Sequence, residues 1–516
     1  MPTEPAARGA AGASAFDVGL LSPVTAGHDG LVDDRAIAAA LVTAEAALAR
    51  AWSTVGIAPV SAASAVSAAL AWRDAGEPCA LADGELDELL AGMLRGSAAG
   101  GNPVIPLTTL LRARVEGAAG AEAAAWVHRG ATSQDVLDSA LMLVVRRAGE
   151  RVLGSLRALD AALAALAREH RDTVAVARTL TQHAVPTTLG LRASRWLRAV
   201  RRAAERLDVA VAQLPAQLGG AGGTLASFRE LALRSPRPHG SAESARSGGD
   251  ALSEAEARAS AAGIAAALPA AFARELDLAP PAAPWHTERW PVTELGDAFA
   301  QTLDALGVIA ADVATLSRTE LGELAEGAGG GSSAMPQKRN PAASVLVRSA
   351  ALRAPHLAAT LHTASALAVD ERPDGAWHAE WPTLRELARL ALGASAHAAA
   401  MVAGLRVDRE AIDRNVRLTR GLVVAERLSI ALGPILGADR VKRLVADAGA
   451  GADLGELLRA EPGLEGIDVD ALLDPAGYTG LAAPLVDAAL SEPATESRAP
   501  DDPPADDSAQ PLGRTT

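Results

Sequence analysis

The residue types best suited to chemistry are concentrated between positions 329 and 341, where the chain reads GGGSSAMPQKRNP. Lys338 is one of only two lysines in a chain that otherwise carries its positive charge on arginine. Because arginine replaces lysine freely on a solvated surface, a lysine kept here indicates a need for a compact ammonium group. The glycines let the backbone approach a ligand closely. The segment is therefore interpreted as a ligand-binding loop and not as a flexible linker.

A helix is predicted directly after this loop, and the positive potential at its amino terminus adds to that of the loop. Asn340 and Pro341 form an N-cap and N1 pair, and the run that follows to about Leu367 is rich in Ala, Leu and Val. The amino terminus of a helix attracts carboxylates. We therefore expect the loop to lie at a site for carboxylate groups.

Three other long helices are predicted from apolar residues spaced by threes and fours. They cover about Asp135 to His170, Pro186 to Leu214 and Val292 to Leu321. The first would be roughly 50 Å long, far above the average for globular proteins. Together with the helix after Pro341, they predict an all-α fold built on a central bundle of long helices.

Composition and charge limit the classes of function. The chain has 516 residues, of which 49% are hydrophobic but only 3% aromatic, which favours closely packed helices over sheets. A net charge of -14 does not indicate a surface that binds nucleic acid or an anionic membrane. No apolar run of about 20 residues is expected to span a bilayer. An anionic substrate must therefore bind where the protein is locally positive.

The chain divides into five predicted parts. These are a flexible amino terminus (1–15), an amino-terminal helical domain (16–127), a central bundle that includes the loop (128–403), a carboxyl-terminal helical domain (404–488) and a disordered acidic, proline-rich tail (489–516). A polar stretch at 234–250 reads as a flexible excursion.

Cofactors and an oxidising compartment are not expected. Cys79 is the single cysteine, which excludes an internal disulfide framework, and the amino terminus lacks the features of a signal peptide. We therefore expect a cytoplasmic protein. No HExxH, CxxC pair or phosphate-binding GxxxxGK occurs, and the GGAGG at 219–223 follows no strand signal. An enzyme that uses neither a metal nor another cofactor fits best.

Three segments together resemble the shared regions of the fumarase/aspartase superfamily. They are GSSAMPQKRNP in the loop, HRGATSQDVLDSA at 128–140 and RTLTQHAVPTTLG at 178–190. Members of this superfamily make or break a C–O or C–N bond beta to a carboxylate. The resemblance implies a homotetramer with a twenty-helix core, in which each active site is assembled from these three regions on three different subunits.

One position departs from most of the superfamily. Many members have a histidine, their general acid, directly after the Arg-Thr pair of the third region, and this chain has Leu180 there. His183, three residues on, resembles the displaced histidine of the 3-carboxy-cis,cis-muconate cycloisomerases. Four further stretches resemble the same branch: GNPVIPL, QLGGAGGTLAS, PWHTER and AWHAEWPTLREL. The resemblance covers most of residues 15 to 485.

The resemblance implies a tricarboxylate substrate, from the beta-ketoadipate pathway of protocatechuate breakdown, and roles for particular residues. Ser332 would exchange the proton at carbon, while Lys338 and Asn340 would stabilise the aci-carboxylate intermediate. His183 would transfer a proton or bind a carboxylate in its charged form, or it would only be a structural residue at a helix start. Thr132 and Ser133 would bind a substrate carboxylate, cap the long helix, or do both. Weaker candidates for substrate binding are His128, Gln182 and Asn102.

Two other readings remain open. One is a different lyase of the superfamily, such as an adenylosuccinate lyase, and Leu180 argues against it. The other is a non-catalytic helical scaffold on the same fold. The joint presence of Ser332, Lys338 and Asn340 argues against a scaffold.

Overall fold

The computed structural model describes residues 17, 19–235, 254–328, 330–331, 335 and 337–493. The predicted amino-terminal segment 1–15, nearly all of the excursion at 234–250 and the tail from 494 onward lie outside these residues. Within them the chain is mainly α-helical and its paired strands are short, so the all-α prediction is confirmed.

The helices follow one another in three groups along the chain. The amino-terminal group contains α1 (Asp34–Thr54), α2 (Val60–Ala69), α3 (Asp83–Gly100), α4 (Val104–Ala119) and α5 (Ala121–Ala124). The central group contains α6 (Ser133–Glu169), α7 (Leu189–Ala212), α8 (Ala226–Arg234), α9 (Glu254–Glu275), α10 (Trp290–Leu316), α11 (Ala342–Ala366) and α12 (Gly375–Ala403). The last group contains α13 (Arg409–Arg417), α14 (Ala425–Leu436), α15 (Ala438–Gly449), α16 (Leu454–Arg459), α17 (Val469–Leu473) and α18 (Ala482–Ser491).

A β-hairpin stands between α6 and α7, where the sequence predicts the start of a helix. Its antiparallel strands are β1 (Val174–Thr179) and β2 (Gln182–Thr188). The predicted helix start at Pro186 is therefore wrong. Strand β2 continues to Thr188, whose hydroxyl accepts the Leu191 amide and so begins α7. Two shorter pairs join β3 (Leu324–Ala325) to β6 (Arg406–Val407) and β4 (Gly330–Gly331) to β5 (Arg339–Asn340).

Contacts near the helix ends give the direction of each bundle helix. Asp138, near the start of α6, binds Arg289 just before α10 and the indole of Trp377 in the first turn of α12. The helices α6, α10 and α12 therefore start at the same end of the bundle, which we call the Asp138 end.

Helices α7 and α11 run in the opposite direction. Gln217, which follows α7, bonds to Ser139 near the start of α6, and Ser344 in the first turn of α11 contacts Met401 near the end of α12. The far end of the bundle thus holds the end of α6, the start of α11 and the strands β1 and β2. We call it the hairpin end.

The buried apolar residues form one large cluster and smaller ones. The large cluster extends from the segment before α1 through α12 and also includes Ile412 on α13 and Val486 on α18, whereas a separate cluster lies between Leu428 and Val469. The domain division at 127 and 403 stays a prediction. The predicted start of the tail at residue 489 is wrong, because α18 continues to Ser491 and Arg198 on α7 binds Glu492.

Two helices are long and apolar enough to cross a membrane by length and composition, although no such run was expected. They are α1 and α10, and 78% and 50% of their apolar windows are buried inside the fold. Helix α1 also carries Glu45 at its centre, fully buried. A helix in the core of a protein passes the same test of length and composition.

A buried ionic network fixes the Asp138 end. The Arg289 guanidinium lies 2.7 Å from the carboxylates of both Asp138 and Glu380, and all three side chains are almost fully buried. Gln134 and Trp377 also donate to Asp138. Burial raises the pKa of Glu380, and Arg289 opposes that shift. One guanidinium therefore balances two carboxylates and ties α6, α10 and α12 together.

Replacing Arg289 with methionine should destabilise the fold strongly, because Asp138 and Glu380 would remain buried without a cation. We expect a loss of about 3–5 kcal/mol in the free energy of unfolding, measured by urea denaturation at a fixed protein concentration. Arg202→Met, which breaks the exposed pair with Glu205, is the matched control and should change stability little. Equal losses in the two variants would show that the buried network does not stabilise this end.

Candidate active site

The segment that resembles the carboxylate-binding region lies at the Asp138 end, and Asp135 organises it. The buried Asp135 carboxylate accepts the amides of Thr132, Gly219 and Gly220 at 2.8–3.0 Å. Its Oδ1 also lies 3.0 Å from Nε2 of His286. These donors hold the glycine-rich loop at 219–223 against the start of α6. His286 therefore has a structural partner at the site.

Thr132 and Ser133 occupy the start of α6. Thr132 is the N-cap residue and Ser133 is the first helical residue, as one of the two expected roles requires. Thr132 is buried and Ser133 is half-buried. Their binding of a substrate carboxylate stays a prediction.

His128 precedes this helix start in an unusual backbone conformation. Its φ is 58°, in the left-handed region that residues other than glycine rarely adopt. The Nδ1 atom lies 2.7 Å from Oε1 of Glu45. Burial lowers the pKa of His128, but the Glu45 carboxylate outweighs burial and the net shift is upward. The charged form of the imidazole is therefore favoured.

Asn102 has a structural role that the sequence does not reveal. Its side-chain oxygen accepts the amides of Val104 and Ile105 at 3.0 and 3.4 Å, so it caps the start of α4. Its amide nitrogen contacts the carbonyl of Gly100. These bonds use the side-chain oxygen and one amide N–H, and substrate binding by Asn102 stays a prediction.

The hairpin carries the region expected to supply a general acid. Leu180 and Thr181 form its tip with φ of 48° and 71°, and Leu180 is 96% exposed. A two-residue turn of this kind normally uses Asn-Gly or a similar pair, so the tip is strained. Gln182 is exposed, and its side chain donates to its neighbour Thr181, the one side-chain hydrogen bond of Gln182 among the described residues. Leu180 offers no proton at this position.

His183 pairs with Arg178 across the hairpin and is half-buried. Its Nδ1 atom is buried and has no hydrogen-bond partner among the described residues. Burial, and then Arg178, lower the pKa of His183, while Glu323 acts in the other direction. The neutral imidazole is therefore favoured. This supports proton transfer over carboxylate binding in the charged form, one of the alternatives left open by the sequence.

The glycine and lysine loop also lies at the hairpin end. Gly330 and Gly331 pair with Asn340 and Arg339, so β4 and β5 close the base of the loop. Lys338 is exposed, and its backbone amide donates to Met335. Ser332 lies outside the described residues, and its catalytic role stays a prediction.

The start of α11 differs from the expected open anion site. Pro341, and not Asn340, is the N-cap residue, and the helix begins at Ala342. The Glu326 carboxylate accepts the amides of Ala343 and Ser344 at 3.0 and 2.8 Å, and it also accepts the Ser344 hydroxyl. A carboxylate of the chain itself thus takes the place expected for a ligand.

The three regions do not meet within one chain. Thr132 precedes α6, whereas the hairpin follows it, and α6 has 37 residues. At 1.5 Å per residue the helix separates its ends by roughly 55 Å. The hairpin and the loop share one end of the bundle, and the segment at 128–135 lies at the other. Among the described residues, no group of three or more His, Cys, Asp or Glu could hold a metal ion.

Sequence reasoning missed Glu45, Asp135 and Glu326. Two of them have a signal in the sequence. Glu45 is a lone acid in the apolar run ALVTAEAALA, and Asp135, three residues after Thr132, fits the pattern of a capping box. Glu326 had no such signal, because its contact depends on how the loop folds back.

Residues 29–231 and 251–355 match the profile of a family described as lyase. The chain therefore belongs to this lyase family, within the fumarase/aspartase superfamily. It is 43% identical to the nitrosuccinate lyase of Streptomyces davaonensis, over 93% of this chain and 96% of that protein. It is 39% identical to the 3-carboxy-cis,cis-muconate cycloisomerase of Pseudomonas aeruginosa, over 89% and 92%.

Solved structures agree with these relatives. The 3-carboxy-cis,cis-muconate lactonizing enzyme of Pseudomonas putida matches with a TM-score of 0.74 at 33% identity, over 89% of this chain and 94% of that chain. The beta-carboxy-cis,cis-muconate cycloisomerase of Acinetobacter calcoaceticus matches with a TM-score of 0.76 at 29% identity, over 90% and 97%. The resemblance to the cycloisomerases is confirmed, and the similarity to a nitrosuccinate lyase is an addition.

The pH dependence of turnover should report on His183. Its pKa lies below the ordinary value of 6.5, so the neutral imidazole persists as the pH falls to that lowered pKa. If neutral His183 moves a proton, kcat/KM falls only below pH 6.5. In His183→Gln this limb should vanish, with a loss of about tenfold or more in kcat/KM. An acid limb that is the same in both proteins would leave His183 a structural role alone.

Proposed function

We propose that this protein catalyses the reversible elimination of a weakly basic anion beta to a carboxylate, and that it interconverts 3-carboxy-cis,cis-muconate and 4-carboxymuconolactone. The observation that carries the proposal is Leu180 at the hairpin tip, the position at which many members of the superfamily have the histidine that serves as their general acid. The named relatives and the solved structures of such cycloisomerases support it.

In the direction that opens the lactone, Ser332 acts first as the base. Its alkoxide takes the proton from the carbon alpha to a carboxylate, and the electron pair moves into that carboxylate as an aci-dianion. Lys338, Asn340 and the backbone amides of the loop stabilise the two negative charges. The electron pair then returns from the aci-dianion to form the C=C bond, and the C–O bond of the lactone breaks. The ring carboxyl leaves as a carboxylate. Lactone formation reverses these steps.

The leaving group explains why no acid is needed at the tip. A carboxylate has a low pKa and leaves as an anion, whereas an amine or hydroxide leaves far more easily once it is protonated. Leu180 has no proton to give. Leu180 therefore fits substrates whose leaving group is weakly basic.

We also propose that the active site is shared between copies of the chain in a homotetramer. One chain holds Thr132 and the strands β4 and β5, which flank Ser332 in the sequence, at opposite ends of the bundle, and α6 between these ends is roughly 55 Å long. A second copy running in the opposite direction brings its hairpin end to the Asp138 end of the first. All the proposed substrate-binding groups then line one site.

Nitrosuccinate is the second candidate substrate, and the 43% identity to a nitrosuccinate lyase favours it. Proton removal alpha to a carboxylate followed by C–N cleavage would release nitrite and leave fumarate. Nitrite is also a weakly basic anion. The same catalytic groups and the same Leu180 therefore suit either substrate.

A direct assay separates the two candidates. Purified protein is incubated with 3-carboxy-cis,cis-muconate, followed by loss of the diene's ultraviolet absorbance, and with nitrosuccinate, followed by colorimetric detection of nitrite. We expect turnover of the muconate, and Ser332→Ala should abolish it without changing the oligomer. Nitrite release without muconate turnover would select the second candidate. Turnover of adenylosuccinate alone would contradict the whole proposal.

Mixing two inactive variants tests whether sites are shared. Thr132→Val removes the hydroxyl at the Asp138 end, and Ser332→Ala removes the base at the hairpin end. Copies refolded together at equal amounts should regain roughly one quarter of wild-type activity, because a site drawing these residues from two random copies is intact one time in four. Each variant refolded alone is the control. No recovery in the mixture would place both residues in a site within one chain.

A further inference from the structure

Glu45 is a buried charge that the proposed mechanism leaves unexplained. It lies in α1, where every residue from 38 to 49 is buried, and its own side chain is fully buried. One of its oxygens binds His128, and the other has no hydrogen-bond partner among the described residues. Burying a carboxylate with so little compensation is costly unless a positive charge faces it. The His128 imidazolium is the group in contact that can supply this charge.

The backbone around His128 is held on both sides. The Arg112 guanidinium donates to the carbonyl of Val127 at 3.2 and 3.3 Å, and the Trp52 indole donates to the carbonyl of Arg129 at 3.0 Å. His128 itself stands in the left-handed region, which costs about 1–3 kcal/mol and persists only where surrounding contacts impose it. The contact with Glu45 completes these restraints. The position of the imidazole is therefore fixed before any ligand binds.

The same restraints continue towards Thr132. Ser227 donates to the carbonyl of Gly130 at 2.6 Å, and Asp135 accepts the amide of Thr132 at 2.9 Å. A side chain at Gly130 would collide with Phe228, and its φ of 84° also favours glycine. The chain from 127 to 132 is thus preorganised, which lowers the cost of binding.

The second ring nitrogen of His128 is left for a ligand. The side chain keeps 16% of its surface exposed, and no described residue forms a hydrogen bond with Nε2. With Nδ1–H given to Glu45, a charged imidazole presents Nε2–H outward, four residues before Thr132. A charged donor that is compact and held rigidly can bind a carboxylate by a strong hydrogen bond, even in a protein with a negative net charge.

We propose that Glu45 is a positioning residue that keeps His128 charged and aimed, so that Nε2–H binds a carboxylate of the substrate beside Thr132. This inference rests on the proposed function for its ligand, but the Glu45–His128 coupling itself does not. The other charged groups that face His128 are Arg112 on α4, which lowers its pKa, and Asp135 on α6, which raises it.

The first test needs no substrate. Diethylpyrocarbonate modifies only neutral imidazole, so its rate at His128, followed by peptide mass spectrometry across pH, reports the charge on this ring. Glu45→Gln keeps the size and an acceptor for Nδ1–H but removes the charge that raises the pKa. Burial and Arg112 then dominate, and modification should begin at a lower pH than in the wild type. His362 in the same samples is the internal control and should not change.

The second test measures binding. In the assay that reports turnover, Glu45→Gln should raise KM by about tenfold near pH 7.5, since it loses a charge-assisted hydrogen bond, while kcat changes less. The effect should shrink at lower pH, where His128 becomes charged without Glu45. Glu45→Asp keeps a carboxylate and should recover part of the loss. Asp297→Asn removes the carboxylate of an exposed His–Asp pair with His362 and should leave KM unchanged.

The outcomes distinguish the inference from the function it rests on. A modification profile at His128 that is identical in wild type and Glu45→Gln would overturn the inference, whatever the substrate. A shifted profile with an unchanged KM would overturn the role in binding. If no proposed substrate is turned over while the profile still shifts, the proposed function fails and the coupling stands. Circular dichroism and size-exclusion chromatography confirm that each variant is folded and assembled.

Discussion

The length of α6 is the constraint on which the rest of the structure depends. A straight helix of 37 residues cannot bring its own ends together, so the segment at 128–132 before it and the hairpin after it stay apart. The proposed catalysis, which uses both ends, therefore requires a neighbouring copy. The bundle serves as a spacer that sets which regions meet, and its apolar stripe stabilises the fold that makes this spacing rigid.

Buried charges hold the Asp138 end in one conformation. Asp135 is balanced by backbone amides, Asp138 and Glu380 by Arg289, and Glu45 by His128. Each carboxylate is expensive to bury and each is matched by fixed donors, so the geometry at this end resists change. The hairpin end differs, because its candidate groups Lys338 and Gln182 are exposed. The side chains at the Asp138 end are thus fixed in position, whereas those named at the hairpin end extend into solvent.

The sequence predicts the long helices well and the site only in part. Regular apolar spacing places α6 within two residues at its start and one at its end, because burial of one stripe dictates that period. The hairpin is missed although Val174 and Val176 alternate with polar or small residues, since its tip lacks the Asn-Gly signal of a tight turn. The contacts of Glu326 with the start of α11 and of Asn102 with the start of α4 depend on how the chain folds back, which local patterns do not encode. The assembly of a site from several chains comes only from family resemblance.

The hairpin tip has one more consequence. Left-handed backbone is tolerated better by His, Asn or Asp than by Leu, so the turn at Leu180 has a shape suited to a residue it does not contain. The side chain there is 96% exposed and belongs to no core cluster of the described chain, so its identity has little influence on folding. Chemical repertoire and thermodynamic stability are therefore separable at this position. Under the proposed mechanism, a single codon change at this position alters which leaving groups the scaffold accepts while the bundle beneath it stays the same.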